Sequence, residues 1–225
     1  MKITPRFISE TIANALIIGG TLLLLLSLWP TISSEAWYWG KKFERSIKCR
    51  ALKIDCSKGP TSLFAPLAHS PTPLKIEPAS KEFGLVIEKI GVNAPVARDV
   101  SVVDRNAYME ALRRGVAHAR GTAKPGEIGN VYLFAHSSLN FWQLGKYATV
   151  FNLLRKLEPG DKVALIYEEK RYDYQVTGKE VVSGFDTTPL LEKVSEPTLT
   201  LQTCHPPGTT LNRLIVTAKL VATEP

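Results

Sequence analysis

Three side chains in this sequence are suited to acyl transfer. Cys204 ends the run "TLTLQTC", Arg213 opens "RLIVTAKLV", and His136 closes "VYLFAHS". A thiolate attacks carbonyl carbon where a thiol does not. It needs a base or a cation nearby, and an amide leaving group needs a proton. Strand parity puts Leu199, Leu201 and Thr203 on one face and Thr198, Thr200, Gln202 and Cys204 on the other. Cys204 therefore lies opposite the leucine face, an unusual place for an inert core thiol. The Pro-Pro-Gly turn in "HPPGTTLN" returns the chain beside Cys204 and brings Arg213 near it. A guanidinium there would stabilise a thiolate and a developing oxyanion.

The chain has four histidines from which an acid/base group can be drawn. His69 lies in a proline-rich stretch. His205 follows the cysteine directly, and neighbours on a strand face opposite ways. His118, in "GVAHARGT", sits beside a turn and reads as structural. His136 ends an apolar strand at a strand-to-loop junction, where sheet proteins present functional side chains. It is the choice for proton transfer.

The elements that must position these groups are mostly short strands. "GLVIEKIGVNAPVARDV" reads as two strands broken at "GVNAP". "VDRNAYMEALRRG" reads as a short helix with Ala107, Met109, Ala111 and Leu112 on its apolar face, Asp104 as N-cap and Gly115 as its stop. "GTAKPGEIGN" is turn chemistry, and "VFNLLRKLEPGD" reads as a short helix ending at Pro-Gly. "KVALIYEEKRYDYQVTGKEVVS" is a strand pair through "EEK", and "TPLLEKVSEP" a loop or single helical turn. Many short strands with little helix predict an all-β barrel or sandwich.

Ahead of this domain, residues 11–30, "TIANALIIGGTLLLLLSLWP", have the length and apolarity of a membrane-spanning helix. Trp29, Trp37, Tyr38 and Trp39 suit an interfacial belt. A cleavable signal peptide is the rival reading, but the apolar run is long and no A-x-A site follows. The expected division is a cytoplasmic N-terminus at 1–10, an anchor at 11–30, a basic segment and Pro-rich linker at 31–80, and a catalytic domain at 81–225. Residues 31–57 read as a short helix lying on the membrane. Lys41, Lys42, Arg45, Lys48 and Arg50 outnumber Lys2 and Arg6, so charge counting alone would leave the C-terminal part in the cytoplasm. The net charge of +7 fits a flank beside anionic lipid, and no nucleic-acid-binding motif accompanies it. Cys49 and Cys56 lack zinc-finger spacing; they are either incidental thiols or a pair formed after export. No acidic cluster suggests calcium, and no cofactor or metal is expected.

Together these segments resemble the sortases, membrane-anchored cysteine transpeptidases of bacterial cell surfaces. "LTLQTC" resembles the family's T-L-x-T-C strand, and the arginine of "RLIVTAKL" stands where the family's arginine follows that cysteine. "GVAHARGTAKPGEIGNVYLFAHSS" resembles the G-V-x-H-x-x-G-T-x-x-P-G-x-x-G-N segment leading to the family's histidine. The resemblance implies a closed β-barrel of about eight strands with Cys204 as nucleophile, His136 as acid/base and Arg213 as oxyanion stabiliser. Thr203 would support the nucleophile, and His118 would fill a family-typical, non-catalytic position. It also implies an extracytoplasmic catalytic domain acting on secreted proteins that carry an LPxTG-like signal. The acceptor would be an amine, from a peptidoglycan cross-bridge or a pilin lysine. The Pro-rich loop after Cys204 is more like the class D or E branches than class A. An L,D-transpeptidase would need an S-H-G-C-x-R type segment, which the sequence lacks. A tethered peptide-binding barrel and a hydrolase remain the alternatives.

Overall fold

The structure is a computed structural model, and it describes residues 5–52, 76–137 and 147–224. Thirteen elements follow in order. A long helix, α1 (Pro5–Leu52), precedes β1 (Phe83–Ile87), a 3-10 turn (Glu88–Ile90) and β2 (Val92–Val100). Next come α2 (Arg105–Arg114), β3 (Val116–Ala119), β4 (Gly129–Phe134) and a second 3-10 turn (Leu154–Lys156). β5 (Lys162–Tyr167), β6 (Lys170–Ser183), α3 (Thr188–Leu191), β7 (Pro197–His205) and β8 (Asn212–Glu224) complete the chain.

The strands close into a barrel in the order β1-β2-β3-β4-β7-β8-β6-β5, with β5 returning to β1. Closure leaves no strand edge unpaired. Most neighbours are antiparallel, while β2–β3 and β4–β7 are parallel. The expected all-β barrel of about eight strands is the one observed. Its core is filled from every strand: Leu85, Ala94, Ala117, Val131, Leu133, Leu165, Tyr174, Leu199, Leu201 and Val216 are all buried. Along β7, Leu199, Leu201 and Thr203 are buried on one face, and on the other Thr198 and Thr200 are buried too while Gln202 and Cys204 are half-buried.

Several local expectations change. The break after β1 falls at the Glu88–Ile90 turn, not at "GVNAP". Gly91 takes a left-handed backbone with φ 67° there, a conformation that costs glycine little, so Pro95 stays within β2. The segment "VFNLLRKLEPGD" is not a helix of several turns. It forms turns and one 3-10 turn: its amides close i→i+3 bonds, Leu154 to Phe151, Lys156 to Leu153 and Leu157 to Leu154, with Phe151, Leu153, Leu154 and Leu157 buried. The β5–β6 hairpin turns through Glu168 and Glu169, both with positive φ, the geometry of a tight two-residue hairpin turn.

α1 also departs from the expectation of an anchor followed by a separate surface helix. It runs unbroken through Pro30 to Leu52. Its 20-residue stretch Glu10–Trp29, with mean hydropathy 2.1, is long and apolar enough to cross a membrane. Most of the Pro-rich linker, His69 and Cys56 lie outside the described residues, as does any pairing of Cys49 with Cys56.

Candidate active site

The site is assembled where three adjacent barrel strands end. β7 and β8 pair antiparallel, and their register sets Cys204 directly opposite Arg213. β4 lies on the other side of β7, parallel to it, with Phe134 opposite Gln202. That ladder continues past the last formal strand residue: the Ala135 amide donates to the Gln202 carbonyl at 3.1 Å. The Thr203 hydroxyl donates back to the Ala135 carbonyl at 2.8 Å, fully buried. The residue before His136 is thus bonded to the residues before Cys204.

His136 stands immediately beyond this tie, half-buried. Its own carbonyl accepts from the Phe151 amide at 3.0 Å, so the loop that follows holds the residue from its other side. Burial pushes the imidazole below the ordinary histidine range, because an imidazolium loses its hydration there. A neutral ring is able to take a proton from a thiol. Arg213 is anchored by its loop: Nη1 donates to the Thr210 carbonyl at 3.1 Å and to the Asn212 carbonyl at 3.2 Å. Cys204 is a free thiol, half-buried.

His118 is not brought to these strand ends. It is buried on β3, with Nε2 3.0 Å from the Ala123 carbonyl and 2.9 Å from the Thr122 hydroxyl. It braces the 119–123 turn that leads into β4. Burial lowers its basicity as well. Thr203 ties β7 to the residue before His136 through its bond to the Ala135 carbonyl. His205 lies on β7 opposite Asn212.

Two tyrosines at this end of the barrel escaped the sequence reading. Tyr108 of α2 stacks on Phe134, with ring centroids 5.0 Å apart and planes 13° from parallel. Burial pushes its phenol up, Cys204 adds to the rise and Arg213 opposes it. Tyr132 of β4 donates to the Gln202 side-chain oxygen at 2.6 Å. Its phenol is also raised, chiefly by burial, with Arg213 opposing. Both rings therefore feel the charges of the site. A signal for Tyr108 exists in the sequence. With Ala111 and Leu112 it forms an i, i+3, i+4 face, and those two residues are the buried ones of α2. The reading that put Ala107 and Met109 on that face passed it over.

The outer surface of β4 and β7 carries a further polar row. The Thr200 hydroxyl donates to Asn130 Oδ1 at 2.8 Å, and Asn130 Nδ2 donates to the Pro189 carbonyl of α3 at 3.2 Å. These bonds moor the connection between β6 and β7 over the strands that lead to Cys204.

Comparison with known proteins agrees with the geometry. A family model described as a sortase domain matches residues 85–221. Sortase SrtE1 of Streptomyces coelicolor is 27% identical over 230 residues, covering 96% of this chain and 58% of the relative. Sortase D of Bacillus subtilis is 26% identical over 54% of this chain and 53% of the relative. The chain thus spans somewhat over half the length of these curated relatives. Among solved structures, a Clostridium perfringens sortase D5 transpeptidase aligns with TM-score 0.51 and 28% identity, over 66% of this chain and 83% of that one. Sortase C-1 of Actinomyces oris aligns with TM-score 0.53 and 28% identity, over 62% of this chain and 71% of that one.

Proposed function

This chain belongs to the sortase family, and on that premise we propose that it is a membrane-anchored cysteine transpeptidase cleaving LPxTG-like sorting signals. The observation that carries the reading is the Cys204–Arg213 register pair beside the strand end that presents His136.

In the first half-reaction the Cys204 thiol gives its proton to the neutral His136 ring. The sulfur attacks the carbonyl carbon of the signal's threonine. Negative charge gathers on that oxygen, where the Arg213 guanidinium meets it. Two carbonyls already hold Nη1, which leaves Nε and Nη2 to face the substrate. The C–N bond breaks as His136 returns its proton to the departing amine, and a thioester remains on Cys204. In the second half an acceptor amine attacks the thioester, His136 takes its proton and Cys204 leaves. One amide bond is exchanged for another through two acyl transfers. The acceptor is a peptidoglycan cross-bridge or a pilin lysine. The Glu10–Trp29 stretch anchors the chain once in the cell membrane, with the barrel on the extracytoplasmic side.

The test is full-length protein in detergent, supplied with LPxTG-like peptides and an amine and followed by mass spectrometry. A ligated product that disappears with Cys204→Ala is the expected result. Cleavage without ligation would point to a hydrolase. Peptide binding without turnover, unchanged by Cys204→Ala, would point to a tethered binding module.

A further inference from the structure

The part of α1 just beyond its apolar stretch is docked on the barrel. Asn152 Nδ2 donates to the Ser34 hydroxyl at 2.6 Å. The Glu35 carboxylate pairs with Arg155 and, at 3.2 Å, with Lys156. Lys156 also lies over the rings of Tyr38 and Trp39, at 5.1 Å and 5.2 Å from their centroids. Tyr38 packs against the main core. Trp37 covers Gly91 so closely that a Cβ there would meet its ring at 2.7 Å. Ser34 and Tyr38 share one helix face by their i, i+4 spacing, and Glu35 flanks that face on the side that meets Arg155 and Lys156. Glu35 and Arg155 each keep only 26% of their side-chain surface exposed, so this pair is less screened than an open surface ion pair.

The receiving surface has a second role. Arg155 Nη1 donates to the Asn152 carbonyl, and Asn152 is itself buried. The next residue back, Phe151, is fully buried, and its amide holds the His136 carbonyl. Direct bonds therefore run from Glu35 to Arg155 to Asn152, then along one peptide to Phe151 and on to His136. The turn that contacts the helix is the turn that holds the histidine.

We propose that Glu35, Arg155 and Asn152 are positioning residues, through which the docked anchor helix sets the backbone of His136 for proton transfer. The contact begins five residues past Trp29, about 8 Å along a helix, so the membrane exit and the active-site brace are one structural unit. This proposal rests on the transpeptidase reading for its kinetic consequence but not for the contact itself.

The experiment uses the full-length chain in lipid nanodiscs. Glu35→Arg and Arg155→Glu are each expected to lower kcat about fivefold or more, with KM within about twofold. The double exchange is expected to recover most of the loss, because it restores the pair with its sign reversed. The His136 imidazole titration, followed by NMR, should shift in each single variant and return in the double. Independently, Ser34→Cys with Asn152→Cys, in a chain whose Cys49, Cys56 and Cys204 are replaced, should form an intramolecular disulfide on mild oxidation. Absence of that cross-link overturns the docking. A cross-link with kcat and titration unmoved in both single variants, or with losses that simply add in the double, overturns the positioning role. If the unmodified protein exchanges no amide, the transpeptidase reading fails, and the cross-link and the titration still decide the contact.

Discussion

Thr203 shows how much one buried hydroxyl can settle beside Cys204. Its Oγ1 is bonded to the Ala135 carbonyl in the barrel interior, and that carbonyl belongs to the peptide leading into His136. Thr203→Val keeps the shape and removes the donor, which leaves the carbonyl unpaired. Urea denaturation should register a loss of about 1–3 kcal/mol, and kcat should fall with it because the strand ends that carry Cys204 and His136 lose their tie. A variant as stable and as active as the parent would mean that the bond positions nothing. The histidines make a second prediction at this scale. His136 and His118 both titrate below the ordinary range, since burial disfavours their charged form. The unfolded chain takes up these protons near pH 6.5, the folded chain only at lower pH. The unfolded state binds more protons in that window, so stability is complete above about pH 6.5 and falls as the pH drops below it. Melting temperatures between pH 8 and pH 5 should follow that course. His136→Gln should flatten it, and an unchanged slope would show that His136 does not contribute.

Among the elements, α2 is the most completely explained by its own residues. Asp104 caps it by accepting from the Asn106 and Ala107 amides at 2.9 Å and 3.1 Å, as the sequence reading expected. Its C-terminal end is set by packing. A Cβ on Gly115 would fall 2.2 Å from the Pro95 carbonyl oxygen, so the helix must stop where it meets β2. Asp104→Ala should cost about 1 kcal/mol in chemical denaturation. Gly115→Ala should cost about 1–3 kcal/mol, since backbone must move to admit the methyl group. It should also disturb Tyr108, which α2 carries onto Phe134 next to the site. If Gly115→Ala melts with the parent, the close approach to Pro95 is not a constraint.

At the scale of the whole molecule, a mostly buried ion pair joins segments far apart in sequence that the β1–β5 pairing makes neighbours. Lys89, in the turn after β1, reaches Asp161, before β5, at 2.7 Å. Asp161 is buried and also accepts from the Glu158 amide. Lys89 also meets the exposed Glu158 carboxylate at 3.4 Å, so Asp161→Ala leaves the ammonium one partner, and the loss is expected to be about 1–3 kcal/mol. A thermal melt lowered by only a degree or two would show that water reaches Lys89 and screens it. The all-β class and the apolar run of spanning length could be read from residue order because they rest on local pattern, whereas the closed barrel and its count of about eight strands came from the family resemblance. Alternating strands, turn residues and an apolar run of spanning length each reveal themselves within a few residues. Cys204, Arg213 and the hairpin that pairs them were legible for the same reason, being close in sequence. The membership of His136 in that group drew on motif resemblance, because its neighbour strand lies far along the chain and parallel pairing leaves no local trace. Tyr132 was missed because its bond to the Gln202 side chain depends on the parallel pairing of β4 with β7; the helical spacing of Tyr108 was legible, but its stacking on Phe134 depends on where α2 docks. The docking of α1 through Glu35 and Arg155 was equally out of reach, since charges more than a hundred residues apart meet only after the barrel has closed. Sequence alone thus determined the elements and the chemical types at their ends. Tertiary structure decided which ends meet, because closing a sheet into a barrel makes neighbours of strands that the chain itself keeps apart.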